Sequence, residues 1–167
     1  MITPPSALVD LLKPWSDFYG HSKLAATVVV FVHIGGLLLG GGIAIANDRA
    51  MLRALKRPVE ERWYQRHELA AAHRWVISGI ALIALSGVAL VAADIETFWG
   101  SPIYWTKMAL VIALLVNGLL MTRAEASLDH DDDEAAHGWR ALHRTAVVSL
   151  GLWFCITALG IALANFS

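Results

Sequence analysis

The sequence predicts an all-α fold: a polytopic membrane four-helix bundle built from two pseudo-twofold-related helical hairpins. Three observations predict it. The chain is apolar, with 57% of its 167 residues hydrophobic and 16% charged, whereas soluble domains charge about a quarter of their residues. Four stretches meet the bilayer's demand for about 20 mainly apolar residues in helical form: roughly residues 24–46, 75–93, 105–122 and 145–165. The chain also repeats itself in two halves. No period-two alternation competes with the helical pattern.

Composition narrows the function classes. A net charge of −1 gives no basic footprint for nucleic acid. The single cysteine, Cys155, excludes an internal disulfide. The length suits one transmembrane domain over residues 1–167. The first span begins after a polar and aromatic leader and lacks a small-residue cleavage pattern, so it reads as a helix that stays in the membrane. Within the leader, from Pro4 to Tyr19, Ala7, Leu8, Leu11 and Leu12 share one face, the pattern of a short interfacial helix.

Two connecting loops are expected at residues 48–72 and 124–142. Pro58, followed by Glu60 and Glu61, suits a helix start, so the second helix is expected to begin there and run unbroken into the membrane. The acidic run Asp129 to Glu134 reads as solvated loop. Basic residues orient the bundle. The first connection and its flanks hold Arg49, Arg53, Lys56, Arg57, Arg62, Arg66 and Arg74, and the third holds Arg123, Arg140 and Arg144; the opposite side holds only Lys13, Lys23 and Lys107. This bias places the long loops in the cytoplasm and both termini outside. Trp15, Phe18, Tyr19, Trp99, Tyr104 and Trp105 are expected to belt the outer interface, and Trp63, Tyr64, Trp75 and Trp139 the inner one.

The repeat is visible in its polar residues. Lys23 precedes His33 by the same interval as Lys107 precedes Asn117. His67 and His73-Arg74 recur as His137 and His143-Arg144. Each half closes on a similar string, Ser86-Gly87-Val88-Ala89-Leu90 and Leu159-Gly160-Ile161-Ala162-Leu163. Two hairpins of the same topology imply a pseudo-twofold axis along the membrane normal. Gly36 and Gly40, with Gly79 and Gly87 on the second helix and Gly151 and Gly160 on the fourth, let helices approach closely in lipid.

The histidines carry the candidate chemistry. His73 and His143 occupy equivalent helix mouths at equal depth, and two axial imidazoles from different helices are what a six-coordinate haem b requires. Arg74 and Arg144 beside them suit haem propionates; anchoring in the headgroup zone explains the same four residues without a cofactor. His33 lies about 15 Å along the first helix. An ionisable group at such depth is a candidate ligand, a proton-relay group, or a neutral imidazole bonded to a carbonyl or to Asn117. Lys107 opens the third helix and can snorkel outward. His-x5-His sets its two rings about 120° apart round a helix, so neither such pair shares one metal from one face. No phosphate-binding glycine loop, nucleophile elbow or HExxH string occurs.

Phe31-Val32-His33-Ile34-Gly35-Gly36 followed by Trp105-Thr106-Lys107-Met108-Ala109-Leu110 resembles the small membrane protoporphyrinogen oxidase class and the copper-resistance D membrane family, which share this layout. Ser149-Leu150-Gly151-Leu152-Trp153 is similar to uncharacterised bacterial four-helix membrane families. The resemblance implies a bacterial inner-membrane protein with periplasmic termini, haem binding, and roles for His33 and Lys107. Three functions are therefore expected: a membrane haem b protein for electron transfer or porphyrin-linked redox chemistry; a module for a copper-like ion, although no Met-rich or Cys-rich segment supplies soft ligands; or an accessory subunit of a larger membrane complex. Candidate cofactor residues are His73, His143, His33, Arg74, Arg144 and Lys107, the three histidines being the candidate metal ligands. The bilayer is the expected partner, with other membrane subunits in the third case.

The orientation is directly testable. A cysteine placed at Ser167 should react with an impermeant thiol reagent from outside the cell, and one placed in the Asp129 loop only after the membrane is opened. Labelling of Ser167 from the cytoplasmic side alone overturns the placement.

Overall fold

A computed structural model describes the backbone of residues 3–57, 59–129 and 132–166, and their side chains except at 59–73, 129, 132–136 and 166. Every regular element among these residues is helical: α1 (Ser6–His21), α2 (Lys23–Gly36), a π-helical turn (Leu37–Gly41), α3 (Gly42–Ala54), α4 (Val59–Ala93), α5 (Ile95–Gly100), α6 (Pro102–Ala126), a 3₁₀ turn (Ser127–Asp129) and α7 (Asp132–Phe166). Four helices are long and apolar enough to cross a bilayer: Lys23–Ala54, Arg74–Ala93, Pro102–Ala126 and His137–Asn165. They alternate in direction, so both ends of the chain share one face, here the terminal face, and the long connections share the other, the loop face.

The surface is inverted relative to a soluble protein. Phe31 (74% exposed), Leu38 (70%), Leu85 (72%) and Phe154 (65%) stand outward, whereas Asp48, Ser86, Asn117, Thr145 and Ser149 are buried. Lipid tails do not drive helices together by the hydrophobic effect, so contact depends on close packing and interhelical hydrogen bonds. The glycines provide the packing. A Cβ on Gly36 would come within 3.0 Å of Ile83 and Leu82, one on Gly40 within 3.1 Å of the Gly79 backbone, and one on Gly79 would overlap the Gly40 backbone. The first and second spans therefore cross backbone to backbone. α6 packs along α7, and α3 packs against both α4 and α7.

The first span differs from expectation in two ways. It contains a π turn, in which the Gly42 amide reaches back to the Leu37 carbonyl. The extra residue per turn arises in a Leu-Leu-Leu-Gly-Gly run where one side of the helix is pressed against Gly79 and Trp153. The span also runs on to Ala54 instead of stopping near residue 46. Asp48, Met51 and Ala54, spaced three apart, are all buried, so the helix continues because one face still has a partner. Met51 packs with Met121, Ala124, Leu128, Trp139 and Leu142. Trp139, expected in an interfacial belt, thus belongs to the interior. α7 begins at Asp132, within the acidic run expected as loop, where carboxylates suit the positive end of a helix.

At the terminal face the leader is helical and docked. Trp15 Nε1 donates to the Ala89 carbonyl at 2.8 Å and Ser16 Oγ to the Ala93 carbonyl at 2.7 Å, tying α1 to the last turns of α4. Asp94 and Ser101 cap α5 and α6, each accepting from a backbone amide three residues on. Trp99, Tyr104 and Trp105 stack edge to face nearby.

Substituting Gly79 by Leu should destabilise the pairing of the first two spans by roughly 1–3 kcal/mol, the usual cost of overpacking. Gly42→Ala, at a glycine with no neighbour within 4 Å, should cost little. A detergent unfolding titration of both variants checks this; equal stability contradicts the backbone crossing.

Candidate functional site

The polar interior falls into two layers. The first lies toward the terminal face and draws one position from each span. The glycine crossing sets its register: Gly36 meets Ile83 and Gly40 meets Gly79, and one turn further along, His33 meets Ser86. The ring Nδ1 lies 2.9 Å from Ser86 Oγ. Ser86 Oγ itself lies 2.5 Å from the Leu82 carbonyl and 3.2 Å from the Ile83 carbonyl. Serine has one proton. Donated to the carbonyl, it leaves the hydroxyl lone pairs facing the ring, which assigns the imidazole proton to Nδ1. Nε2 is then the basic nitrogen, and the ring's direction is held by a hydrogen bond made at the other side, the arrangement that orients metal-ligating histidines.

Gly87 makes room for this ring: a Cβ there would stand 3.5 Å from His33 Cε1. Lys107 supplies the second basic group of the layer. A Cβ on Gly160 would stand 3.3 Å from its ammonium and 3.9 Å from Cε, so the side chain runs along α7 with its charge at Gly160. The Asn117–Thr145 bond and the packing of Met121 with Leu142 set the α6–α7 register. That register puts the Lys107 backbone about a turn nearer the loop face than Gly160, so the stem reaches toward the terminal face, as snorkelling predicts. The ammonium is near enough to act electrostatically on the His33 ring. Two of the candidate residues, His33 and Lys107, from different halves of the chain, thus share this layer.

Asn117 does not pair with His33. Its Nδ2 donates to the Thr145 carbonyl at 2.9 Å, a carbonyl in the interior of α7. Asn117 therefore belongs to the second layer, nearer the loop face, together with Thr145, Ser149 and Asp48, all buried. The Ser149 hydroxyl lies near the Asp48 carboxylate. Asp48 was not among the residues singled out in the sequence, where it falls just beyond the apolar run. The available signal was spacing: Gly41, Ala44, Asp48, Met51 and Leu55 continue one helix face through the end of that run. An apolar cluster of Leu114, Trp153 and Ile156, flanked by Leu37, Ile80 and Ile83, separates the two layers.

At the loop face, His143 and Arg144 are exposed, on the side of α7 away from buried Leu142, Thr145 and Ala146. Arg74 is exposed, its guanidinium 5.6 Å from the Trp75 ring centre. The side chains of His67 and His73 lie outside the described residues, as does His130. At this end Gly79 packs on the Gly40 backbone, whereas Gly151 is open. Among the described residues, no three His, Cys, Asp or Glu side chains converge on a point where they could hold a metal ion. No family model, curated protein or solved structure matches the chain.

Proposed function

We propose that the protein is an integral membrane haem b protein of the bacterial inner membrane, serving electron transfer or porphyrin-linked redox chemistry, with its iron ligand at His33. One observation carries this reading: His33 Nδ1 is engaged by Ser86 Oγ at 2.9 Å, which presents Nε2 as a neutral, oriented donor inside the apolar zone. Haem b demands one or two neutral nitrogen ligands rather than a cluster, so the lack of a three-residue group among the described residues is compatible with it. Lys107, whose charge lies at Gly160, would meet a propionate. Bound there, haem would supply a one-electron couple; the chain's part is to hold the ring of His33, keep a cation beside it and line the rest with apolar side chains.

In this reading the two hairpins are related by a pseudo-twofold axis. Its support is that Gly87 and Gly160, equivalent in the two closing strings, each back a basic side chain, His33 and Lys107 respectively. The termini are periplasmic, from the charge bias, and the site then lies in the periplasmic half of the membrane. His73 and His143, with Arg74 and Arg144, form the competing iron site at the cytoplasmic mouth. An accessory subunit is the second reading, favoured by the same Ser86 bond read as simple satisfaction of a buried donor.

The test is the visible spectrum of protein purified from haem-replete cells. A Soret band is expected, with haem lost in His33→Ala and retained in His143→Ala. Ser86→Ala should weaken retention roughly 10–100-fold, as loss of a ligand-orienting partner does. A colourless wild-type protein supports the accessory subunit. Haem lost in His73→Ala and His143→Ala but kept in His33→Ala moves the iron to the cytoplasmic mouth.

A further inference from the structure

Asp48 carries a carboxylate in the second polar layer that the haem reading does not use. The residue is 3% exposed. The Ser149 hydroxyl lies near the carboxylate, yet Oδ2 is sealed from solvent and has no hydrogen-bond partner among the described residues. The polar neighbours are committed elsewhere. Thr145 Oγ1 donates to the carbonyls of Ala141 and Leu142, and Asn117 Nδ2 to the Thr145 carbonyl. Apolar clusters bound the layer on both sides: Met51, Met121, Leu128, Trp139 and Leu142 toward the loop face, and Leu114, Trp153 and Ile156 toward the terminal face.

An ionised carboxylate with one bare oxygen is costly in such surroundings. A cationic side chain, a metal cation or a proton can relieve it. The described cations on the packed elements make no hydrogen bond to Oδ2. Arg49 and Arg53 on the same helix are exposed, and Arg53 Nε donates to the Arg49 carbonyl. Arg123 on α6, Arg140 and Arg144 on α7 and Arg74 on α4 are exposed. The remaining titratable residues of α4 at that end, Glu60, Glu61, Arg62, Tyr64, Arg66, His67, Glu68 and His73, have side chains outside the described set, and none of the described groups reaches Oδ2. A hard metal cation takes about six or more oxygen ligands, whereas this layer offers one carboxylate and one uncommitted hydroxyl. A proton needs one oxygen only.

We propose that Asp48 is an occluded proton-binding site: its carboxylate takes up one proton from water at one face of the membrane, becoming a neutral carboxylic acid, with no other bond made or broken. Release returns the same proton. The two apolar clusters keep the group from both faces at once, so exchange requires the helices to part at one cluster. The proposal stands apart from the haem reading, since it involves neither His33 nor an iron.

The test uses full-length wild-type protein in lipid nanodiscs with dicyclohexylcarbodiimide, which attacks protonated carboxyls in apolar surroundings. Peptide mass analysis should find the adduct on Asp48, falling as pH is raised and unaffected by sodium. Infrared spectra should show a protonated carboxylic acid band, lost in Asp48→Asn and displaced in Ser149→Ala. Because the adduct and the band are read on the wild type, a misfolded variant does not spoil the test. Absence of both adduct and acid band overturns the proposal. Protection by sodium at constant pH overturns it in favour of a metal cation site.

Discussion

The structure depends on the close approach of the first two spans at Gly40 and Gly79. In lipid there is little to hold helices together except contact and hydrogen bonding, and contact at this distance leaves no room for a Cβ on Gly79 and little for one on Gly40. The crossing sets the register along both helices. One turn toward the terminal face it places His33 opposite Ser86. On the adjoining side it presses Gly41 against the Trp153 ring, so that α7 is fitted to the same point of the first span. The π turn lies at this junction. Its additional residue rotates the following helix, and that rotation is what presents Asp48, Met51 and Ala54 to the interior.

The polar residues of the interior then follow one rule: each is tied across helices or back to a carbonyl, because nothing else in the apolar zone can satisfy it. Ser86, Asn117 and Thr145 all end on backbone oxygens. Such bonds contribute modestly, about 0.6 kcal/mol on average in membrane proteins, so they specify register more than they stabilise. Asp48 breaks the rule with one bare carboxylate oxygen, and His33 breaks it in a milder way, with one ring nitrogen engaged and the other not. Function is most economically sought at these two exceptions, which the cluster around Trp153 keeps apart.

Much of this was legible in the sequence, and the reasons are physical. The four spans follow from length and apolarity, the second helix from Pro58 and its following glutamates, and the glycine contact from the Gly36–Gly40 spacing. His33 stands out because imidazoles are rare at depth. Other features were hidden. Hydropathy falls at Asn47-Asp48, so the apolar run ends although the buried face does not. The π turn has no signature of its own in a Leu-Leu-Leu-Gly-Gly run. Trp139 reads as interfacial because aromatic residues flank most spans, and only the packing of α3, α6 and α7 shows it enclosed. The partner of His33 was sought in Asn117 by analogy between the halves, but helices that cross at glycines pair by register, and the register leads to Ser86.

The central claim is that the crossing at Gly40 and Gly79 holds the His33 ring with its proton on Nδ1, toward Ser86, and leaves Nε2 bare. Nitrogen-15 NMR of protein labelled in histidine, in a lipid bilayer and free of cofactor, reads this directly once the His33 signals are identified by their loss in a His33→Gln variant. The structure predicts a neutral ring with Nδ1 protonated and Nε2 as an unprotonated acceptor. A ring protonated on Nε2 with Nδ1 bare, or on both nitrogens at neutral pH, contradicts it.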